Sequence, residues 1–340
     1  MGVHNTKYDG KRIICGVYVA QHFLLSAAAR TLSLSAVARM SNEEAHTAFQ
    51  RIRWADNGGE PYCPRCGCLD ARKLATRPVW KCKGCSHQFS VTAGTIFADR
   101  KRPIRDYLLA IAIFANGAKG YSALQLSRDL SCQYKTAFVL AHKLREAIED
   151  EQRKATLSPA TEKEIDGAYF GGHVKPQNEV TERVDRRFAE EQTGKRQVVV
   201  VMRERKGRTL PFVCAKESDA IPAIRERIQV GSIVHADEAR GWDALHAHYD
   251  MRRINHSVAF SKDDACTNQA ESYFSRLRRA EIGTHHRISG QYLNRYASEM
   301  AWREDQRRNP NGTQYSAIAA AALNHPHSTN FRCYWQRSAA

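Results

Sequence analysis

Two groups of residues in this sequence have the types and spacing to do chemistry. Cys63 and Cys66 form CPRC, fifteen residues separate Cys66 from Cys82, and Cys82 and Cys85 repeat the pair in CKGC. Each CxxC turn brings two thiolates to one ion, and two such turns complete a tetrahedral zinc site with no open position for a reactant. The role expected of this zinc is therefore folding and DNA contact, the latter through Arg65, Arg72, Lys73, Lys81 and Lys83. Cys68 and His87 lie near enough to substitute, but either would break the symmetric spacing. Cys15, Cys132, Cys214, Cys266 and Cys333 are isolated and read as small buried apolar residues.

The second group is acidic. Asp166 sits inside the apolar β pattern IDGAYF, and Asp237 closes SIVHAD. An acid in such a strand is costly unless it ends the strand or binds something. Alone, each is more often a capping or turn residue; two of them at strand ends within one basic domain look like ligands of a shared divalent cation. Magnesium takes carboxylate oxygens, and two such ions roughly 4 Å apart can drive phosphoryl transfer on DNA. A third ligand would come from a helix beside those strands. NQAESYFSRLRR offers Glu271, with Asn268 one turn earlier on the same face. Arg278, seven positions beyond Glu271, shares that face and is suited to a DNA phosphate. The plainer reading of this segment is a solvated helix with an internal Glu271 to Ser275 contact.

These residues need elements to position them. With 340 residues the chain has room for two or three domains. Lysine and arginine outnumber acids 52 to 36, a net charge of +16 that draws the protein to polyanions, nucleic acid first. The hydrophobic fraction of 42% suits a soluble globular protein, and the sequence has no run of about 18 uncharged apolar residues to span a bilayer. The stretch RIICGVYVAQHFLLSAAA, from Arg12 to Ala29, imitates a signal peptide but is interrupted by Gln21 and His22; it reads as an amphipathic helix or a poorly assigned start. Paired cysteines indicate a reducing compartment, hence the cytoplasm.

An α/β multidomain fold is expected. Residues 1–50 form a helical segment ending in a helix whose N-terminus carries a Ser41 and Glu44 capping box. Residues 51–100 form the zinc ribbon, after a turn at Asn57, Gly58, Gly59 and Pro61. Residues 101–157 are helical and similar to a helix-turn-helix: Leu124, Leu126, Leu130, Phe138 and Leu140 hold two helices together, while Arg128, Lys135, His142, Lys143 and Arg145 supply polar reach. Residues 158–308 are the mixed-sheet catalytic domain. Its strands are KEIDGAYF, RQVVVVMRE, TLPFVCA and SIVHAD, with a hairpin turn at Lys206 and Gly207; its helices are AIPAIRERIQ, NQAESYFSRLRRAE and QYLNRYASEMAWRED. The charged insert from Lys175 to Lys195 reads as a loop or exposed helix, and residues 309–340 as a tail.

The order of CPRCG, WKCKGCSHQFSVTAGTIF, GYSALQLSRDLSCQYKTAF, IDGAYFGG, HADEARGWDAL, INHS, TNQAESYFSRLRRAEIGTHHRIS and YLNRYASEMAWRED resembles the DDE transposases of bacterial insertion sequences, in the zinc-ribbon, ISXO-like group. The resemblance covers about residues 35 to 305. It implies a ribonuclease-H-like catalytic domain, strand cleavage and strand transfer at terminal inverted repeats, and two magnesium (or manganese) ions. It implies double-stranded DNA as partner, both terminal repeats and target, a homo-oligomer on that DNA, and a location with the bacterial nucleoid. Asp166 and Asp237 become the first two acids, and the third is Glu271 or Asn268. Glu271 is preferred because a carboxylate is the better magnesium ligand and because its step of 34 residues from Asp237 matches the family spacing. Gly167 is a departure, standing where many members carry a second acid. Two other classes compete: a zinc-ribbon regulator that binds DNA without catalysis, and a ribonuclease-H-like nuclease that cuts without joining.

Overall fold

The computed structural model describes residues 11–14, 17–20, 23–171, 179–184, 196–255, 266–328, 330, 331 and 334. The chain divides into two compact units, one of residues 1–118, 123–147 and 306–340, the other of residues 119–122 and 148–305.

The first unit opens with a strand pair, β1 (Lys11–Ile14) and β2 (Val17–Ala20), antiparallel. This corrects the helix expected over Arg12 to Ala29: RII and VYV are rich in β-branched residues, which favour strands. Helices α1 (Leu34–Arg39) and α2 (Asn42–Arg53) follow. The capping box of α2 is formed, Glu44 donating its backbone N–H to Ser41 Oγ at 3.1 Å and accepting from Ser41 N at 2.7 Å. A three-stranded antiparallel sheet comes next, β3 (Ala71–Lys73), β4 (Val79–Cys82) and β5 (Gln88–Ser90). Trp54, at the end of α2, lies edge-on to Trp80 and Phe89 of this sheet, with ring centroids 5.4 and 6.3 Å away. A buried aromatic cluster so replaces the aliphatic core that so short a segment cannot build.

Three helices carry most of the rest: α3 (Ile104–Asn116), α4 (Ala123–Asp129) and α5 (Tyr134–Lys154). Ser131 turns the chain between α4 and α5 at φ 45°, so the left-handed position is taken without a glycine. Leu126, Leu130 and Leu140 are buried as expected, whereas Leu124 is exposed. His142 and Arg145 are fully buried, which corrects their expected polar reach. The Arg145 guanidinium lies 5.5 Å from the Phe114 ring centroid, and His142 stacks on Phe331 at 5.1 Å. Residues expected only as a tail contain α9 (Asn311–Asn324), which packs on α2 and α3; its helical pattern, YSAIAAAAL, is alanine-rich and hence strongly helix-forming.

The second unit is a five-stranded mixed sheet with helices on both faces. Its strands are β6 (Lys163–Gly171), β7 (Arg196–Glu204), β8 (Thr209–Cys214), β9 (Ile233–Asp237) and β10 (Asp250–Ile254), in the order β10-β9-β6-β7-β8. β6, β7 and β8 run antiparallel in succession, and β9 and β10 join the other edge of β6 in parallel. The apolar run of β7 explains the two-sided burial. Val198, Val200 and Met202 face one core with Ile224 of α6 (Ile221–Arg227), while Val199 and Val201 face another with α7 (Asn268–Ala280) and α8 (Gly290–Gln306). A fully buried side chain of this kind contributes about 1.5–3 kcal/mol. Asp305, near the end of α8, accepts from Arg203 Nη1 at 2.7 Å and from Thr209 N at 3.1 Å, tying that helix to β7 and β8. β10 was not expected, because DMRRI carries three charges in five residues. Of the insert from Lys175 to Lys195, only 179–184 lie among the described residues, with a short 3-10 turn at Val180–Glu182. The segment INHS begins with Ile254 and Asn255 and runs on outside the described residues from 256 onward.

Candidate metal centres

In the zinc-type module the two CxxC turns bring four sulfurs together. The Sγ atoms of Cys63 and Cys85 are 3.6 Å apart, those of Cys66 and Cys82 3.6 Å, and those of Cys66 and Cys85 3.4 Å. Such gaps exclude a disulfide, whose sulfurs stand about 2.05 Å apart. They approach the roughly 3.8 Å edge of a tetrahedron with zinc–sulfur bonds of about 2.3 Å. Gly67 completes the first turn at φ 71°. The Cys85 backbone N–H donates to Cys82 Sγ at 3.4 Å, and this bond is first among the causes that lower the Cys82 thiol to about 6. Cys82 thus parts readily with its proton, as a zinc ligand must, whereas the Cys66 thiol, against the pull of the Cys68 backbone N–H, is pushed up to about 12 by its bonds to the neighbouring sulfurs, that of Cys85 first. Cys68 stays outside the group, its Sγ directed at Asp70 O, and His87 stacks on Phe89. Arg65, Arg72, Lys73 and Lys83 are exposed, Lys83 pairing with Asp70 at 2.9 Å, while Lys81 is half-buried.

The acidic site is assembled over a longer range. Side chains alternate along a strand. Glu164 and Asp166 therefore share a face of β6 with Ala168 and Phe170, which belong to the core under α7. β6 and β9 pair in parallel as Glu164↔His235 and Ile165↔Ala236. One further step of that register sets Asp166 beside Asp237, at the point where β9 ends. Glu271 enters from the first turn of α7. All three acids are half-buried. Burial first, and then the charges of Asp237, Glu271 and Glu217, push the Asp166 carboxyl up to about 7, against the opposing pull of the Gly167 N–H, which it accepts at 2.7 Å. A group of carboxylates that repel one another in this way is a donor set suited to divalent cations. The oxygens are nonetheless spread: among the described residues, only the four cysteines form a group of three or more ligand atoms all within 4.8 Å of one another.

The other expected site residues are placed differently. Asn268 is the exposed first residue of α7, and its backbone carbonyl accepts from Ser272 Oγ at 2.9 Å. Arg278 is exposed two turns beyond Glu271, about 10 Å along the axis. Its guanidinium lies over the Phe170 ring at 5.7 Å, away from the acids along the same face.

The sequence did not single out the residues that hold this site in shape. Glu164 is fully buried, and its Oε2 accepts from the backbone N–H groups of Gln269 and Ala270 at 2.8 and 3.0 Å. Thr267 offers no side-chain cap, so a residue of β6 caps the helix that carries Glu271. Arg205 Nε donates to Glu164 Oε1 at 3.2 Å, and the same guanidinium bonds Glu162. Buried His235 bonds Glu162 at 2.9 Å. Burial and the Arg205 charge lower the His235 pKa, so the ring is neutral. Asp237 Oδ1 accepts from Trp242 Nε1 at 2.8 Å and from Ala239 N at 3.2 Å. Arg253 braces the same corner, donating to the backbone oxygens of Asp237 and Ala239 at 2.6 and 2.7 Å. The available signal was spacing: Glu164 lies two residues before Asp166, hence on its face.

Comparison with known proteins gives a consistent picture. Residues 160–305 match the family model of the ISXO2-like transposase domain, and residues 40–88 that of the transposase zinc-ribbon domain. Together the two spans exceed half of the chain and include the four cysteines and the three acids. The chain is 24% identical over 301 residues to an uncharacterized protein in transposable element ISH50 of Halobacterium salinarum, covering 84% of this chain and 98% of that protein. It is 29% identical over 84 residues to an uncharacterized transposase-like protein of Haemophilus influenzae, covering 24% and 68%. Among solved structures, a pre-cleavage Mos1 transpososome aligns over 86% of this chain and 97% of that chain at 10% identity; its TM-score of 0.22 carries no weight for the fold. No helix among the described residues is long and apolar enough to cross a membrane.

Proposed function

Because the chain belongs to the insertion-sequence DDE transposases of the zinc-ribbon, ISXO-like group, we propose that it binds the terminal inverted repeats of its element and catalyses metal-dependent strand cleavage and strand transfer there. The observation that carries this reading is the meeting of Asp166, Asp237 and Glu271. Two adjacent parallel strands and one helix bring these acids close enough for each of the other two to raise the first. The three-strand antiparallel run followed by two parallel strands supports a ribonuclease-H-like domain.

In this reading Asp166 and Asp237 hold two magnesium or manganese ions and Glu271 completes the set. Bound there, such ions would activate the attacking water or 3'-hydroxyl and stabilise the leaving oxygen. Asp166 must give up its proton to serve, and a cation supplies the charge that replaces it. Glu164 holds α7 so that Glu271 faces Asp166. Trp242 and the loop N–H of Ala239 fix one oxygen of Asp237, and the other would hold a cation. Arg65, Arg72, Lys73 and Lys83 of the zinc module meet DNA phosphates, as do Arg128 and Lys135 of the helical segment, all of them exposed. Arg278, exposed on the helix that carries Glu271, serves strand positioning. Two copies of the chain hold the two ends of the element.

The test is magnesium-dependent processing of DNA carrying the terminal repeats, with wild type, Asp166→Asn, Asp237→Asn and Glu271→Gln. Cleavage and joining are expected from wild type, with loss of both to background in the two aspartate variants and DNA binding retained. Equal cleavage by all four proteins would remove the triad. Cleavage without joining would assign a nuclease, and binding with neither reaction a regulator.

A further inference from the structure

Glu217 lies in a 3-10 turn (Glu217–Ala220) that follows β8, in a stretch that none of the sequence motifs covers. The turn is pinned at both ends. Lys216 N donates to Asp219 Oδ2 at 3.0 Å, Asp219 N donates to Lys216 O at 3.1 Å, and Ala220 is fully buried. From that fixed backbone the Glu217 side chain lies against two glycines. A Cβ on Gly167 would stand 2.7 Å from Glu217 Oε1, and one on Gly241 3.4 Å from its Oε2. Gly167 is the residue after Asp166, and Gly241 stands four residues after Asp237. No larger residue at 167 could coexist with the carboxylate in this position.

The sheet explains the route. The β6–β9 pairing runs through Ile165↔Ala236, and β9 ends at Asp237 while β6 continues to Gly171. Past that end no described strand pairs with β6 on this side. Asp166 faces α7, whereas position 167 faces the opposite side, so Glu217 approaches the two aspartates from the face that Glu271 does not occupy. The carboxylate is half-buried, and among the described residues no hydrogen bond or ion pair engages it. Its neighbours are negative, since Gly167, against which it lies, adjoins Asp166, and Gly241 lies on the segment that follows Asp237. A half-buried carboxylate among like charges costs stability unless a cation is shared.

We propose that Glu217 is a fourth carboxylate of the divalent-cation site, reaching it through the space kept open by Gly167 and Gly241. The assignment rests on the reading of Asp166, Asp237 and Glu271 as cation ligands. It also gives Gly167 a purpose: the acid missing from that position of β6 is supplied from another element.

The experiment measures manganese binding to the full-length, zinc-loaded chain by electron paramagnetic resonance, with thermal unfolding to verify that each variant is folded. Glu217→Gln is expected to weaken manganese binding about tenfold, the scale on which supporting residues affect metal affinity. Gly167→Ala keeps every carboxylate but displaces the flexible end of Glu217, and is expected to weaken binding to a similar degree. The double variant is expected to be no worse than either single one. Wild-type manganese affinity in folded Glu217→Gln, with Asp166→Asn defective, would overturn the role of Glu217 and leave the triad standing. Wild-type affinity in Asp166→Asn as well would remove the triad itself.

Discussion

The two candidate metal centres are built in opposite ways. The cysteine site is made by two tight turns within 23 residues of chain, and its sulfurs already stand 3.4 to 3.6 Å apart. The acidic site draws on β6, β9 and α7, more than 100 residues of sequence from Asp166 to Glu271, and its oxygens do not gather within 4.8 Å. A site whose only duty is to hold the fold gains from being closed, since every ligand position is filled by the chain itself. A site that must admit a DNA phosphate has to leave positions open, and the mutual repulsion of its acids keeps it so. Preformed geometry thus suits a structural ion, and stored repulsion the catalytic ions proposed above.

The contrast can be broken first at the cysteines. Cys82→Ser is expected to remove the single bound zinc and unfold the module, a loss on the order of 10 kcal/mol in binding energy that is also folding energy. Zinc content by mass spectrometry and the fluorescence of Trp54 and Trp80 report it; a folded, zinc-loaded variant would show that four ligands are not needed. At the acidic site the first target is the support. Glu164→Ala leaves two helix N–H groups and the Arg205 guanidinium without their buried partner, an expected cost of about 3–5 kcal/mol in urea unfolding. A cost under 1 kcal/mol would mean that α7 is held by its apolar face alone.

The repulsion itself has a pH signature. Asp166 is raised from 3.8 to about 7 in the fold without a cation. An acid raised on folding favours the folded state while protonated, so its contribution is complete below the unfolded pKa and is lost as pH rises through about 7. In a chelator, the melting temperature is therefore expected to fall between about pH 4 and 7. Asp166→Asn should flatten that slope, and saturating magnesium should reverse it by replacing the proton with a cation. A slope identical in Asp166→Asn would place the titrating group elsewhere. The smallest effect is expected from Trp242→Phe, which removes one charge-assisted hydrogen bond to Asp237, about 1.5 kcal/mol of stability; no change at all would show that this bond does not fix the aspartate.

Much of this was legible in the sequence, and the pattern of successes follows from range. CPRC and CKGC show their meaning within a few residues, and so does the Ser41 and Glu44 box. Strands β6 to β9 announce themselves by apolar runs, and α7 by its 3.6-residue period. The failures came where tertiary packing overrides local pattern. Position along α5 could not reveal that His142 and Arg145 turn inward, because a basic residue on a helix shows its burial only through what packs on it. DMRRI hid β10, since its charges sit at a sheet edge. Glu164 and Glu217 escaped notice because the first bonds a helix a hundred residues later and the second meets glycines from two other elements. An acid's role in such a place is decided by neighbours that a linear reading does not see.

The central claim is that Asp166, Asp237 and Glu271 hold divalent cations together. The most direct measurement is anomalous X-ray scattering from manganese in crystals of the zinc-loaded protein bound to terminal-repeat DNA. Manganese peaks are expected within bonding distance of the Asp166 and Asp237 carboxylates, with Glu271 or its coordinated water on one of them. Peaks confined to other acids, with the carboxylates of 166 and 237 untouched, would contradict it.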